Sequence, residues 1–112
     1  MKIDFKEIIN SAELNFKGGK GLFQFKKYED DETKIMLAKL EKGSSIGFHR
    51  HDDSNEVVYI LKGKGIMICD CEEEVLNTGD ASFCGRGGSH TLKNDFDEEL
   101  VFFSVITKFN NN

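Results

Sequence analysis

The chain of 112 residues has no proline and no tryptophan, only two arginines, and three each of histidine and cysteine. Ordinary usage of about 5% would give roughly five or six prolines, so its turns must rely on Gly, Asp and Asn. The three cysteines, Cys69, Cys71 and Cys84, are odd in number and lack a scaffold-like spacing. That argues against a disulfide framework and favours a reduced, cytoplasmic chain. Long apolar runs are missing too. The longest, Val57–Leu61, falls far short of the ~20 residues a membrane helix needs. The segment MKIDFKEIIN has no apolar stretch, so no secretory signal is expected in it. Positive charge is scarce, with 15 Lys+Arg against 20 Asp+Glu and a formal charge of -5. The lysines are scattered, which excludes the clustered cations of sequence-independent nucleic-acid binders.

What is present is ordinary globular material, 38% hydrophobic residues and 11 Gly, and the length suits one domain spanning residues 1–112. Short Phe-, Ile-, Val- and Leu-rich runs recur between polar clusters: Leu22–Tyr28, Lys34–Leu40, Val57–Leu61, Ile66–Cys69, Asp80–Cys84, His90–Leu92 and Leu100–Thr107. Their spacing predicts an all-β sandwich or barrel and not βαβ units. Asp4–Ile9 reads as a short helical turn, and Asn110–Asn112 as a polar, frayed tail. The acidic clusters Glu29–Glu32, Glu72–Glu74 and Asp95–Glu99 read as solvated loop tips. Val57–Leu61 is apolar at both parities, as in a strand covered on both faces. Tyr59 falls opposite Val58 and Ile60, available either to a dimer contact or to packing within one subunit. Phe102 and Phe103 side by side ask for two-sided cover again.

His49 and His51 stand two residues apart, which on a strand sends both imidazoles to one face. Glu56 follows a polar turn, and His90 opens a later strand after the glycine-rich Gly85–Ser89. By itself, the pair suits a polar surface as well as a ligand set. Three neutral imidazoles and a carboxylate, if they converge, suit a divalent first-row metal. Mn, Fe, Co or Ni would keep positions open for substrate, whereas four protein ligands would nearly close the shell of Zn.

The wider spacing carries a resemblance. Gly43, five residues, His49-Arg50-His51, four residues, Glu56, six residues and Gly63 resemble the first motif of the cupin superfamily (residues 43–63). Gly79, five residues, Gly85-Arg86-Gly87, two residues, His90, three residues and Asn94 resemble the second (residues 79–94). One position departs, Gly85 standing where the family has proline, so the loop presenting His90 is expected to be less rigid. The resemblance implies a double-stranded β-helix, or jelly-roll barrel, holding one metal on His49, His51, Glu56 and His90. GSSIGFHRH is similar to small manganese-binding cupins related to oxalate decarboxylase, which makes manganese the expected metal. It also implies a homodimer.

The function so implied is a metal-dependent enzyme on a small carboxylate or sugar-like molecule, by decarboxylation, dioxygenation, isomerisation or lyase chemistry. The alternative is a metal-dependent binding or sensing module without turnover. Arg86 is a candidate for a bidentate carboxylate contact, and Phe48 and Phe83 for the cavity wall. Arg50, between the two His, should point away from the metal. With all three His committed as ligands, acid–base work falls to a carboxylate, Tyr28, Tyr59, a lysine or metal-bound water. Glu41 and Asp80 lie nearest the motifs. Cys84 reads as a small buried hydrophobe.

Overall fold

The computed structural model describes residues 1–109, so the predicted tail Asn110–Asn112 lies outside the described residues. Ten strands are present among them: β1 Ser11–Leu14, β2 Leu22–Glu29, β3 Thr33–Leu40, β4 Ser45–Arg50, β5 Ser54–Lys62, β6 Gly65–Cys69, β7 Glu72–Leu76, β8 Ala81–Cys84, β9 Ser89–Lys93 and β10 Leu100–Lys108. They form a six-stranded sheet in the order β1-β2-β3-β10-β5-β8 and a four-stranded sheet in the order β4-β9-β6-β7. The two sheets enclose one apolar core, as a jelly-roll barrel does. Among the described residues no helix is long and apolar enough to cross a membrane.

Side-chain alternation explains which residues face inward. On β3 the inward set is Lys34, Met36, Ala38 and Leu40, the last three buried. On β10 it is Leu100, Phe102, Ser104 and Ile106, and on β5 it is Glu56, Val58 and Ile60. On β3 and β5 the series runs from apolar at one end of the barrel to charged at the other, and β10 brings Ser104 and Ile106 to that charged end. At the apolar end Asn94 is fully buried, its Nδ2 donating to Leu40 O and Glu98 O and its Oδ1 accepting from Phe96 N.

Two expectations about local structure need correction. Glu72–Glu74 is not a loop tip but part of β7, which tolerates exposed carboxylates because it is an edge strand with solvent on one side. The loop tip is Asp70-Cys71, both at positive φ as a tight two-residue hairpin requires. The strand around Val57–Leu61 is covered on one face only within the chain. Val57, Tyr59 and Leu61 remain 41%, 42% and 44% exposed, so this outer face is left partly open. Phe103, by contrast, does receive cover. Phe5 meets its ring edge-on at 6.2 Å from the 3-10 turn Phe5–Glu7, whose first turn is capped by Asp4. Strand β1 is exposed throughout, and its four residues, Ser-Ala-Glu-Leu, are too few for their alternation to mark a strand.

Candidate metal centre

The four residues singled out by spacing converge. Each of His49, His51, Glu56 and His90 offers one ligand atom, and these atoms lie within 4.8 Å of one another. Three strands deliver them, namely β4 with its following turn, β5 and β9. His49 faces His90 in register across β4 and β9, and Glu56 opens the inward face of β5.

A β-bulge aims the first histidine. Ile46 and His49 are both on the inner side although three residues apart, because the register shifts between them. Gly47 sits in that irregularity. A Cβ there would lie 1.9 Å from Lys17 O, so only glycine lets the 3-10 turn Phe16–Gly18 pack against β4. The same shift turns Phe48 outward.

The hydrogen bonds fix much of the protonation. His49 Nδ1 donates to Gly47 O at 2.8 Å, which places the lone pair on Nε2. Burial pushes the His49 pKa down, favouring the neutral form a metal requires. His51 Nδ1 and Ser54 Oγ are 2.8 Å apart, so His51 can keep its proton on Nδ1 and leave Nε2 for a metal or, metal-free, carry it on Nε2 and donate to Glu56 Oε1. Burial works against ionisation of Glu56. Hydrogen bonds from His51, His90 and Ser104 outweigh it and hold the carboxyl well below the ordinary range.

The remaining contacts are crowded. His51 Nε2 lies 2.9 Å from His90 Nε2 and 3.1 Å from Glu56 Oε1, which is 2.9 Å from His90 Nε2. Two facing imidazole nitrogens at that distance can share only one proton. His90 Nδ1 is buried with no hydrogen-bond partner. Such a cluster does not satisfy itself. Neutral imidazole lone pairs around an ionised carboxylate are instead the donor set that fits a divalent first-row ion.

Above the cluster lies a cavity of about 150 Å³, lined by apolar side chains including Met36, Val58, Phe102 and Ile106. Lys17, Lys34 and Arg50 also line it. Sites for drug-sized ligands run to roughly 300–1,000 Å³, so only a compact molecule fits here.

Three candidate residues do not reach this cavity. Phe48 is 58% exposed and Phe83 62% exposed, each on the outer side of its strand. Phe83 pairs with outward Val57, one step from inward Cys84. Arg86 is held by Asp53 at 3.3 Å and stacks over Phe109. Arg50 is exposed and paired with Asp52 at 2.7 Å. Neither Glu41 nor Asp80 lines the cavity: Glu41 O accepts from Ser44 N, and Asp80 closes a turn by accepting from Asn77 N. Tyr28 bonds Asp30 at the rim.

The loop Gly85–Gly88 is tied more firmly than its missing proline suggests. Gly87, at positive φ, donates to His51 O at 2.6 Å, and His51 N donates to Gly88 O at 2.8 Å. Ser89 N adds a bond to Asp70 Oδ1. Sequence reasoning passed over Ser54, Ser104 and Lys34. Ser54 adjoins an ordinary polar stretch, but Ser104 and Lys34 each carried a signal in their shared parity with apolar residues, Ser104 with Leu100 and Phe102 and Lys34 with Met36, Ala38 and Leu40.

A family model described as a cupin domain matches residues 36–106. The chain is 30% identical over 112 residues, 95% of this chain and 93% of the relative, to a protein of Thermotoga maritima named oxalate-binding protein. A solved Thermotoga maritima structure described as a predicted oxalate decarboxylase matches with TM-score 0.91 at 29% identity. That match covers 97% of this chain and 100% of the other. A sugar phosphate isomerase from a cupin superfamily, from Silicibacter pomeroyi, shares the fold with TM-score 0.77 at 18% identity, covering 96% and 76%.

Proposed function

This chain belongs to the cupin family, and on that premise we propose that it is a mononuclear metal protein acting on a small carboxylate. In this reading residues 1–112 work as one cupin domain, and His49, His51, Glu56 and His90 hold a single divalent ion, manganese by preference. The observation that carries it is the convergence of these four donors within 4.8 Å in the wall of a compact cavity. The size of the cavity favours a molecule of a few heavy atoms, and its lysines favour an anion. The name of the Thermotoga maritima relative points to the same ligand class.

When bound, a divalent ion supplies Lewis-acid polarisation of an oxygen on the bound molecule. The chain supplies the rest. Gly47 and Ser54 orient two imidazoles, Ser104 steadies Glu56, and Met36, Val58, Phe102 and Ile106 keep water from the walls. Decarboxylation or another reaction that develops negative charge on a carboxylate substrate suits such surroundings. A second reading, binding without turnover, is favoured by one observation. Tyr28, Tyr59, Glu41 and Asp80 all lie away from the cavity, so few groups remain to move a proton.

The outer face of β5 and β8, with Val57, Tyr59, Leu61 and Phe83 exposed, suits the contact of a homodimer. Three free cysteines suit a reducing, cytoplasmic setting. The function is tested by elemental analysis of protein purified without added metal, followed by a screen of oxalate, other small carboxylates and sugars. Turnover abolished by chelator and restored by Mn²⁺ supports the enzyme. Carboxylate binding without turnover supports the second reading. Protein that takes up no metal contradicts both.

A further inference from the structure

Lys34 is a cation on the inner face of a barrel wall whose other inward residues are apolar. On β3 it shares its side with Met36, Ala38 and Leu40, and it lines the same cavity as the His–Glu cluster. Ile106 of β10 pairs with Lys34 on one side and with Glu56 on the other. The three therefore form one row across three strands, with Lys34 and Glu56 backbones about 9.6 Å apart at the usual strand spacing. A flexible four-carbon stem lets the ammonium lean toward the cluster from there.

The charged neighbours of Lys34 are otherwise engaged. Glu29 is its partner in register on β2, but that carboxylate is held by Lys108 at 2.6 Å and Lys27 at 3.1 Å. Arg50, another cation of the cavity, is paired with Asp52, and exposed Lys17 lies over the Phe16 ring. Among the described residues no hydrogen bond or ion pair reaches the Lys34 ammonium. It is half-buried, and burial lowers its pKa, so the charged form would gain from a counter-ion. A lysine kept only to cover apolar surface would extend its charge to water.

From this placement we infer that Lys34 is the specificity-determining residue of the cavity, its ammonium pairing with the carboxylate of a compact organic acid held beside the His–Glu cluster. The inference rests on the metal-and-carboxylate reading above and deepens it by naming the residue that recognises the anion. It also explains why Arg86 is not needed for that task.

The test is calorimetric titration of oxalate into Mn²⁺-loaded wild type, Lys34→Met and Lys34→Arg, with Mn²⁺ affinity measured separately for each. Oxamide, a neutral molecule of the same shape, is the control. Methionine keeps the stem and removes the charge. The expected result is oxalate binding by wild type, weakened about 10- to 100-fold in Lys34→Met, with Lys34→Arg within a few fold of wild type. Mn²⁺ affinity should be unchanged throughout, and oxamide should not distinguish the variants. Equal oxalate affinity in wild type and Lys34→Met would overturn the role of Lys34 and leave the proposed function standing. Weaker Mn²⁺ binding in Lys34→Met would make it a support of the cluster instead, and also overturns the inference. Wild type that holds Mn²⁺ but ignores oxalate overturns the carboxylate reading together with this one, and wild type that holds no Mn²⁺ overturns the metal reading on which both depend.

Discussion

At one end of the barrel Asn94 is fully buried and both hydrogens and the oxygen of its amide are used. At the other end His51, Glu56 and His90 are equally enclosed, yet their polar atoms crowd one another and His90 Nδ1 has no partner. The two ends share strands: β3 runs from Lys34 to Leu40, β5 from Glu56 to Ile60, and β10 from Ile106 to Leu100. Buried polarity alone therefore does not separate a structural residue from a functional one. Whether the buried groups satisfy each other does. Asn94 completes a network of carbonyls that would otherwise be stranded. The histidines converge on a point that only a further positive charge relieves.

The strongest way to break this contrast is a pair of substitutions, one at each end. Glu56→Gln keeps the shape and removes the charge, and should weaken Mn²⁺ binding by about 100-fold or more. It should also cost the metal-free protein stability at neutral pH, because a carboxyl held below its ordinary range stabilises the fold in its charged form. Asn94→Ala strands the carbonyls of Leu40 and Glu98 and should cost about 2–4 kcal/mol of stability. Its folded fraction should bind Mn²⁺ normally. Chemical denaturation and Mn²⁺ titration on both proteins check this. An Asn94→Ala protein whose folded fraction loses affinity for Mn²⁺ would erase the distinction between the ends.

A smaller effect probes how well the metal end is sealed behind its ligands. Cys84 lies opposite Glu56 on β8, and burial pushes its thiol up to about 12. Cys71 is exposed at the hairpin tip. Under native conditions at pH 8 a thiol reagent should label Cys71 rapidly and Cys84 only on unfolding, as peptide mapping would read. Rapid labelling of Cys84 would mean that water reaches the back of the site.

The smallest effect is at the rim. Lys108 and Lys27 hold Glu29 down to about 2 from its ordinary 4.5. A depressed carboxyl stabilises the fold above its unfolded value, so this contribution is complete above about pH 4.5 and is lost as the pH falls through 2. For a pair this exposed it should be under about 1 kcal/mol. Lys108→Met should flatten the acid limb of the stability curve by that amount, and an unchanged limb would remove the rim pair from the account.

The sequence made the His–Glu end legible and left much of its surroundings hidden. The resemblance to the two cupin motifs named His49, His51, Glu56 and His90, which the fold brings together. Phe48 was misplaced because it neighbours inward His49: successive residues on a strand point to opposite faces, so it faces outward, as does Arg50 on the other side of His49. Phe83 was misplaced because its neighbour Cys84 is the inward residue, and both suit burial. Arg86 was plausible for a carboxylate until the fold brought Asp53 to it from 33 residues away. Strands β1 and β7 escaped notice as exposed edges, β1 because it is only four residues long and β7 because Glu72–Glu74 breaks any apolar alternation. Lys34 stood within a recognised strand run, and only its parity with three buried neighbours set it apart.

The most direct measurement is a Mn²⁺ titration of chelator-stripped wild type followed by electron spin-echo envelope modulation. The account predicts that the signal of free Mn²⁺ stays suppressed up to one equivalent per chain, and that the bound ion shows coupling to coordinated imidazole nitrogen, weakened or lost in His51→Ala. Bound manganese without nitrogen coupling, or an unchanged spectrum in His51→Ala, would contradict the claim that these histidines form the metal centre.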